Sequence, residues 1–473
     1  MKKYALVALL ALAAAPAPAL AHAHLTGTTP AANSRLTTAP RQLVLTFSES
    51  PALAMSSLRL VGPDSVVIAL GAVTHDAGVR TLSAGIVGPL AAGRYTVEWQ
   101  TAGDDGHVQH GSYQFVIAEG ASGLAPPPTA VSDTLRRDSA RAPNVAVPDS
   151  AMAAMNPTSF DASSPVYVII RWVQFAALLL LIGAVAFRSW ILPRASDALA
   201  EATRRELGSR AAALGSWGAW LLAASAVARL LAQGATLHGA GHMADPIVLG
   251  PMLTRTIWGH AWLLEIIAVI VAVIGLRTAR REPASTTGWG IATVAVIALA
   301  LVPALSGHAV ATPEQAPIAV VADALHILGA GAWLGSLAVI LFAGLPVMMR
   351  ESAAGRTSAL SAVVNAFSSF ALGCAALVVF TGVIAARYHL GSWAAFTTTS
   401  YGETLLVKLG VVFVLLCIGA WNWRRVRPSL ARGERQDVLR IRGTAGTETG
   451  VAIIVLFVTA ILVALPTPVD VVR

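Results

Sequence analysis

Residues 166–191 read VYVIIRWVQFAALLLLIGAVAFRSWI, an almost unbroken apolar run. At about 1.5 Å of rise per helical residue, such a run crosses the roughly 30 Å of hydrocarbon in a bilayer. Seven comparable runs follow: Ala211–Gln233, Trp258–Leu276, Trp289–Leu305, Ile318–Leu345, Ala362–Ala386, Thr404–Trp423 and Gly450–Leu465. The 473-residue chain is 55% hydrophobic and only 12% charged, with a mean hydropathy of +0.66, which excludes an ordinary soluble enzyme. Residues 165–473 are expected to form an all-α polytopic membrane domain of about eight transmembrane helices.

A net charge of +8 would suit a nucleic-acid partner, but the arginines lie between apolar runs, where membrane topology needs them. With the first helix running inward, the inner loops hold Arg188, Arg194, Arg204, Arg205 and Arg210, then Arg277, Arg280 and Arg281, then Arg350 and Arg356. The last inner loop holds Arg424, Arg425, Arg427, Arg432, Arg435, Arg440 and Arg442, while the outer loops carry mainly Arg255 and Arg387. This bias orients the chain with residues before Pro165 outside.

Upstream, Met1-Lys2-Lys3, an apolar run through Leu12 and Ala19-Leu20-Ala21 have the form of a secretory signal peptide, residues 1–21. Cleavage after Ala21 would leave His22 as the first residue, followed by Ala23 and His24. From Leu25 to about Ala118 short segments alternate in polarity between turn residues: Gln42–Phe47, Ser57–Val61, Arg80–Ala84, Arg94–Gln100 and Ser112–Ile117. A small all-β sandwich over residues 22–118 is expected. Residues 119–164, with Pro126-Pro127-Pro128 and no periodicity, read as a flexible linker.

Cys374 and Cys417 both lie inside apolar runs, so the sequence offers neither a disulfide framework nor a thiolate metal site. A freed amine on His22 would chelate a metal together with the Nδ1 of the same residue. The amine titrates near about pH 8 and a bound divalent ion drives its deprotonation at neutral pH. Asp105-Gly106-His107 offers a carboxylate and an imidazole two residues apart, on one side of an extended strand, with a glycine that permits a tight turn. Together these donors make the tetragonal N,O set that Cu(II) favours. His24 is a further candidate ligand; His110 belongs to no clear pattern.

His22–Pro30, Phe47-Ser48-Glu49, Gly93–Trp99 and Asp105-Gly106-His107, followed by Gly111, Phe115 and Val116, resemble the CopC family of periplasmic copper-binding β-sandwiches. The resemblance implies an Ig-like fold with Cu(II) held by His22, Asp105 and His107, and less securely by His24. A methionine-rich Cu(I) site found in some members is not expected, since Met55 stands alone in this region. Asp323-Ala324-Leu325-His326 with Gly329–Gly335, Tyr401-Gly402 through Lys408, and Asn422 resemble the CopD family. The order of the two halves is similar to CopC–CopD fusions of the YcnJ copper-import type. That resemblance implies a bacterial inner-membrane protein whose partners are copper ions, lipid and periplasmic copper chaperones.

His238, His242, His260, His308, His326 and His389 all fall in outer loops or outer helix ends, and with Met243 they form a candidate transport path, including one for Cu(I). Glu265, Asp323, Lys408 and Glu448 lie in or near apolar runs, where they would serve an ion path or proton relay, or pair within the bundle. No nucleotide-binding G-x-x-x-x-G-K-[ST] motif is present, so no direct ATP drive is expected. Copper import is the leading expectation. A haem-bearing or copper-reducing membrane protein is the alternative, and a copper oxygenase, which also uses an N-terminal histidine, is the third.

Overall fold

The computed structural model describes residues 25–48, 50–63, 65–75, 80–102, 108–122, 164–238, 240–305, 316–426 and 435–465. The helical segments of 160–232 and 260–473 cluster in one compact unit, and the β-domain clusters with residues 233–259 in the other.

The β-domain holds β1 (Leu25–Thr29), β2 (Arg35–Thr38), β3 (Gln42–Phe47), β4 (Ser57–Val61), β5 (Val67–Ile68), β6 (Thr81–Gly85), β7 (Gly93–Ala102) and β8 (Val108–Ser122). They form two sheets, ordered β1-β3-β6 and β2-β8-β7-β4-β5, with β2 parallel to β8 and the other pairs antiparallel. Alternation sets the faces. In β3, Leu43, Leu45 and Phe47 are buried and Gln42 and Thr46 exposed. They meet Leu58, Leu60, Leu82, Tyr95, Val97, Phe115 and Ile117 in one core. Tyr95 stacks on Phe115 at 5.4 Å, and its hydroxyl donates to the Ala91 carbonyl over 2.9 Å.

Five of these strands coincide with the expected segments, although β6 buries Leu82, Ser83 and Ala84 in succession rather than alternating. β1, β2 and β5 do not announce themselves in sequence, because each is short and lies at or near a sheet edge, where half the inward pattern is missing. β8 also continues to Ser122, past the expected end of the sandwich at Ala118, because Thr38 pairs with Ser122 across an irregularity in the β2–β8 register. The expected linker residues after that point lie outside the described residues.

All eight apolar runs form helices long and apolar enough to cross a membrane. The spans are α1 (Pro165–Ala198), α2 (Glu201–His238), α4 (Ile257–Arg281), α5 (Thr286–Leu305), α6 (Ile318–Met348), α7 (Ala353–Leu390), α8 (Ser400–Arg424) and α9 (Arg435–Leu462). A short α3 (Pro246–Arg255) lies between α2 and α4. The chain is a multi-pass membrane protein. Several helices extend beyond their apolar runs. The start of α2, for example, is polar and stabilised by Arg205 and Arg210 donating to Glu201 and Glu206 one turn earlier.

α1 is the central helix, with 67% of its most apolar window buried against 11% for α8. It touches α6 backbone to backbone: a Cβ on Gly183 would collide with the Gly335 main chain, and one on Gly335 with the Leu179 carbonyl. Without a hydrophobic drive between helices in lipid, small residues that allow such approach supply the packing. Two π-helical turns in α6, Gly331–Gly335 and Ile340–Gly344, re-aim its faces around this contact. Because successive spans alternate in direction, the starts of α1, α4, α6 and α8 share one end of the bundle with the ends of α2, α5, α7 and α9. This is called here the α1-start end.

Candidate metal-handling sites

His22, His24, Asp105 and His107 lie outside the described residues, but the strands that flank them are ordered around one end of the β-domain. Leu25 pairs with Phe47, the last residue of β3. The Phe47 ring stands edge-on to Trp99, with centroids 5.5 Å apart. Trp99 pairs with Gly111, and three residues on Ala102 pairs with Val108 to close the β7–β8 hairpin. A Cβ at Gly111 would sit 2.6 Å from the indole, so only glycine lets Trp99 lie across β8. The buried Trp99 Nε1 has no hydrogen-bond partner among the described residues. Next to it, Ser56 and Thr101 join their hydroxyls over 2.6 Å. The register therefore brings the chain leaving residue 24 and the chain flanking residues 103–107 to the same end. His110 is exposed on β8 opposite Gln100.

The histidines of the helical half are spread out. His308 and the side chain of His238 lie outside the described residues. In the 233–259 segment, His242 Nδ1 stands 3.8 Å from Asp245, which caps α3 by accepting from Ile247 N over 2.9 Å. Met243 is exposed, and α3 packs on the Leu53–Met55 turn within the same unit. His260 is exposed at the start of α4. His326 Nδ1 bonds to the Thr381 hydroxyl over 3.1 Å, and Thr381 in turn donates to the Leu377 carbonyl. His389 Nδ1 bonds to the Tyr401 hydroxyl over 2.9 Å. Among the described residues no three His, Cys, Asp or Glu side chains come close enough to hold a metal ion. The candidate path residues are therefore separate stations. At His326 and His389 the bond to a neighbouring hydroxyl fixes the orientation of the ring.

Three charged or polar clusters connect the helices. Near the α1-start end, Arg171 donates to the Tyr167 hydroxyl and to Gln174, Gln174 Nε2 donates to Glu265 over 2.7 Å, and Arg229 closes on the other oxygen of Glu265. Arg171, Gln174, Arg229 and Glu265 are all buried, so this network fastens α1, α2 and α4. The same end holds Asp323 of α6, which interacts electrostatically with Lys408 of α8 and His389 of α7. At the opposite end Asn422 of α8 donates to the buried Glu448 of α9 over 2.6 Å. Sequence reasoning located Glu265, Asp323, Lys408 and Glu448 but missed Arg171, Gln174 and Arg229. The available signal was an arginine inside an apolar run, which in a membrane needs a partner.

Comparison with known proteins places names on both halves. The CopC domain model matches residues 25–118, the copper resistance protein D-like N-terminal domain model residues 160–316, and the copper resistance protein D model residues 361–462. The chain is 25% identical over 471 residues to the copper transport protein CutJ of Bacillus subtilis (strain 168), covering 98% of this chain and 78% of that protein. It is 26% identical over 303 residues to the inner membrane protein YebZ of Escherichia coli (strain K12), covering 63% of this chain and 97% of that one. The β-domain aligns with the crystal structure of PcoC, a methionine-rich copper resistance protein from Escherichia coli, at 30% identity over 21% of this chain and 100% of that one, with a TM-score of 0.20. Copper-family domains thus cover both the sandwich and the helical bundle in their expected order, and the chain is a CopC–CopD fusion of the copper transport and resistance family.

Proposed function

We propose that the protein captures Cu(II) outside the cytoplasmic membrane through His22, Asp105 and His107, with His24 beside them, and imports copper through the helical bundle. The observation that carries the capture step is the register at one end of the β-domain. Phe47 and Trp99 link the start of β1 to the β7–β8 hairpin, so donors just beyond Leu25 and between Ala102 and Val108 can reach one ion. Removal of residues 1–21 would free the His22 amine, and with Asp105 and His107 the donor set is nitrogen and oxygen, as Cu(II) prefers. The contact of α3 with the Leu53–Met55 turn supports a hand-over to His242 and Met243. From there His260, His326 and His389 would pass the ion by ligand exchange, and His238 and His308 belong to the same path.

The test has two parts. If the capture site stands at the Trp99 end of the β-domain, Cu(II) should quench tryptophan fluorescence of the mature protein, and His22→Ala should abolish the high-affinity phase. A mature chain that begins anywhere but His22 would remove the chelate. Copper-isotope uptake into proteoliposomes should then fall in His22→Ala and in His326→Ala; unchanged accumulation in both would sink the import proposal.

A further inference from the structure

The acidic side chains of the spans differ in what balances them. Glu265 is shared by Arg229 and Gln174, and Asp323 has Lys408 and His389 as charged neighbours. Glu448 is also buried, at 6% exposure, yet its partner is an amide.

No cation among the described residues pairs with it. The α6 segments that pack on α9, Ser336–Val339 and Ile340–Gly344, contain no ionisable residue. On α8 Arg424 is exposed. At the same end of α1, Arg188 donates to the Pro283 carbonyl and lies over Trp289. Within α9 itself, Arg440 and Arg442 come more than a turn earlier. An ionised carboxylate left alone inside a membrane costs about 2.5–3.5 kcal/mol or more. Among the described residues no positive charge balances Glu448, and a proton taken from solution would neutralise it.

Asn422 is suited to both states of such a group. Its Nδ2 donates to a carboxylate, and its Oδ1, buried and without a partner among the described residues, accepts from a carboxylic acid after the amide turns over. The 2.6 Å separation also falls within the range of an O–H···O bond. Asn422 opens a π-helical turn, Asn422–Val426, a distortion that recurs at functional sites. Across the interface Gly419 faces the carboxyl, its Cβ position lying 3.8 Å from Glu448 Oε1, an ordinary contact distance. Two side-chain oxygen-bearing groups are too few to cage a metal cation, which takes about six oxygens, but they suffice for a proton.

We propose that Glu448 and Asn422 form an exchangeable proton site at the end of the bundle opposite His326 and His389. The carboxylate takes one proton from the adjoining water to become a carboxylic acid and returns it there, so that proton movement is coupled to metal movement. The proton site stands on its own geometry, whereas its coupling to copper rests on the transport proposal above.

The test uses the full-length protein in lipid. Infrared difference spectra between acid and alkaline pH should show a carboxylic-acid carbonyl band that is absent in Glu448→Gln and shifted in Asn422→Ala. An unchanged band in Glu448→Gln overturns the site. In proteoliposomes an imposed pH gradient should change the initial copper flux of the wild type several-fold and leave that of Glu448→Gln unchanged; an equal response overturns the coupling. Should wild-type protein carry no copper, the infrared result still decides the proton site. Should Glu448→Gln fail to fold, Glu448→Asp must shift the band, and an unshifted band refutes the assignment.

Discussion

Glu265 and Glu448 are chemically the same group buried in apolar helices, yet their surroundings differ. Glu265 meets a guanidinium and an amide from two other helices, and a second arginine, Arg171, joins through Gln174. Among the described residues Glu448 meets a single neutral amide. The first arrangement pairs the carboxyl group with a fixed guanidinium and ties three helices together. The second leaves its charge to be set by the solution. A buried charge that is compensated internally serves structure, and one that is not is available for exchange.

The sharpest way to break this contrast is to remove Glu265. Glu265→Ala strands Arg229 in the bundle and should cost about 3–5 kcal/mol, read as a lower midpoint of thermal unfolding in detergent. The double variant Glu265→Leu with Arg229→Met should recover most of that loss, since no unpaired charge remains. Gln174→Leu leaves one Glu265 oxygen and one Arg171 donor unmatched and should cost about 1–3 kcal/mol in the same assay.

A smaller effect is expected outside the membrane, where Tyr113 has its hydroxyl buried without a partner among the described residues. Burial raises its pKa well above the ordinary value of 10.0. The unfolded tyrosine ionises near about pH 10 and the folded one only above it. Stability of the β-domain is therefore complete below about pH 10 and declines as pH rises further, a decline that Tyr113→Phe should remove. Alkaline unfolding followed by tyrosinate absorbance checks this. The smallest change belongs to Glu448→Gln, which keeps shape and hydrogen bonding and should alter the unfolding midpoint by less than about 1 kcal/mol. A large loss there would make Glu448 a structural group like Glu265 and erase the difference.

Much of the architecture was legible before any coordinates. The eight spans follow from run length alone, and β3 and β4 were placed residue for residue because each alternates cleanly. β2 escaped notice because its one partly inward position, Leu36, is too little to form a pattern, and its parallel pairing with β8 is a long-range choice. In the bundle, His326 and His389 were visible as histidines toward the outer end of the apolar runs. Their anchors Thr381 and Tyr401 emerged only once α6, α7 and α8 were packed together. Arg171 and Arg229 had been passed over because arginines were read as loop markers, a rule that holds for helix ends and not for interiors.

The sequence by itself determined that this chain has a β-domain of alternating strands followed by a bundle of eight membrane spans. Those properties depend on local period and run length, which a single segment contains. Which buried charge meets which partner was decided only by tertiary structure. Gln174 and Glu265 are 91 residues apart and Asn422 and Glu448 are 26 apart, and helical periodicity says which face a side chain occupies but not which helix stands opposite. The packing of the helices sets those neighbours, and with them the difference between a glutamate paired with a guanidinium and one paired with an amide.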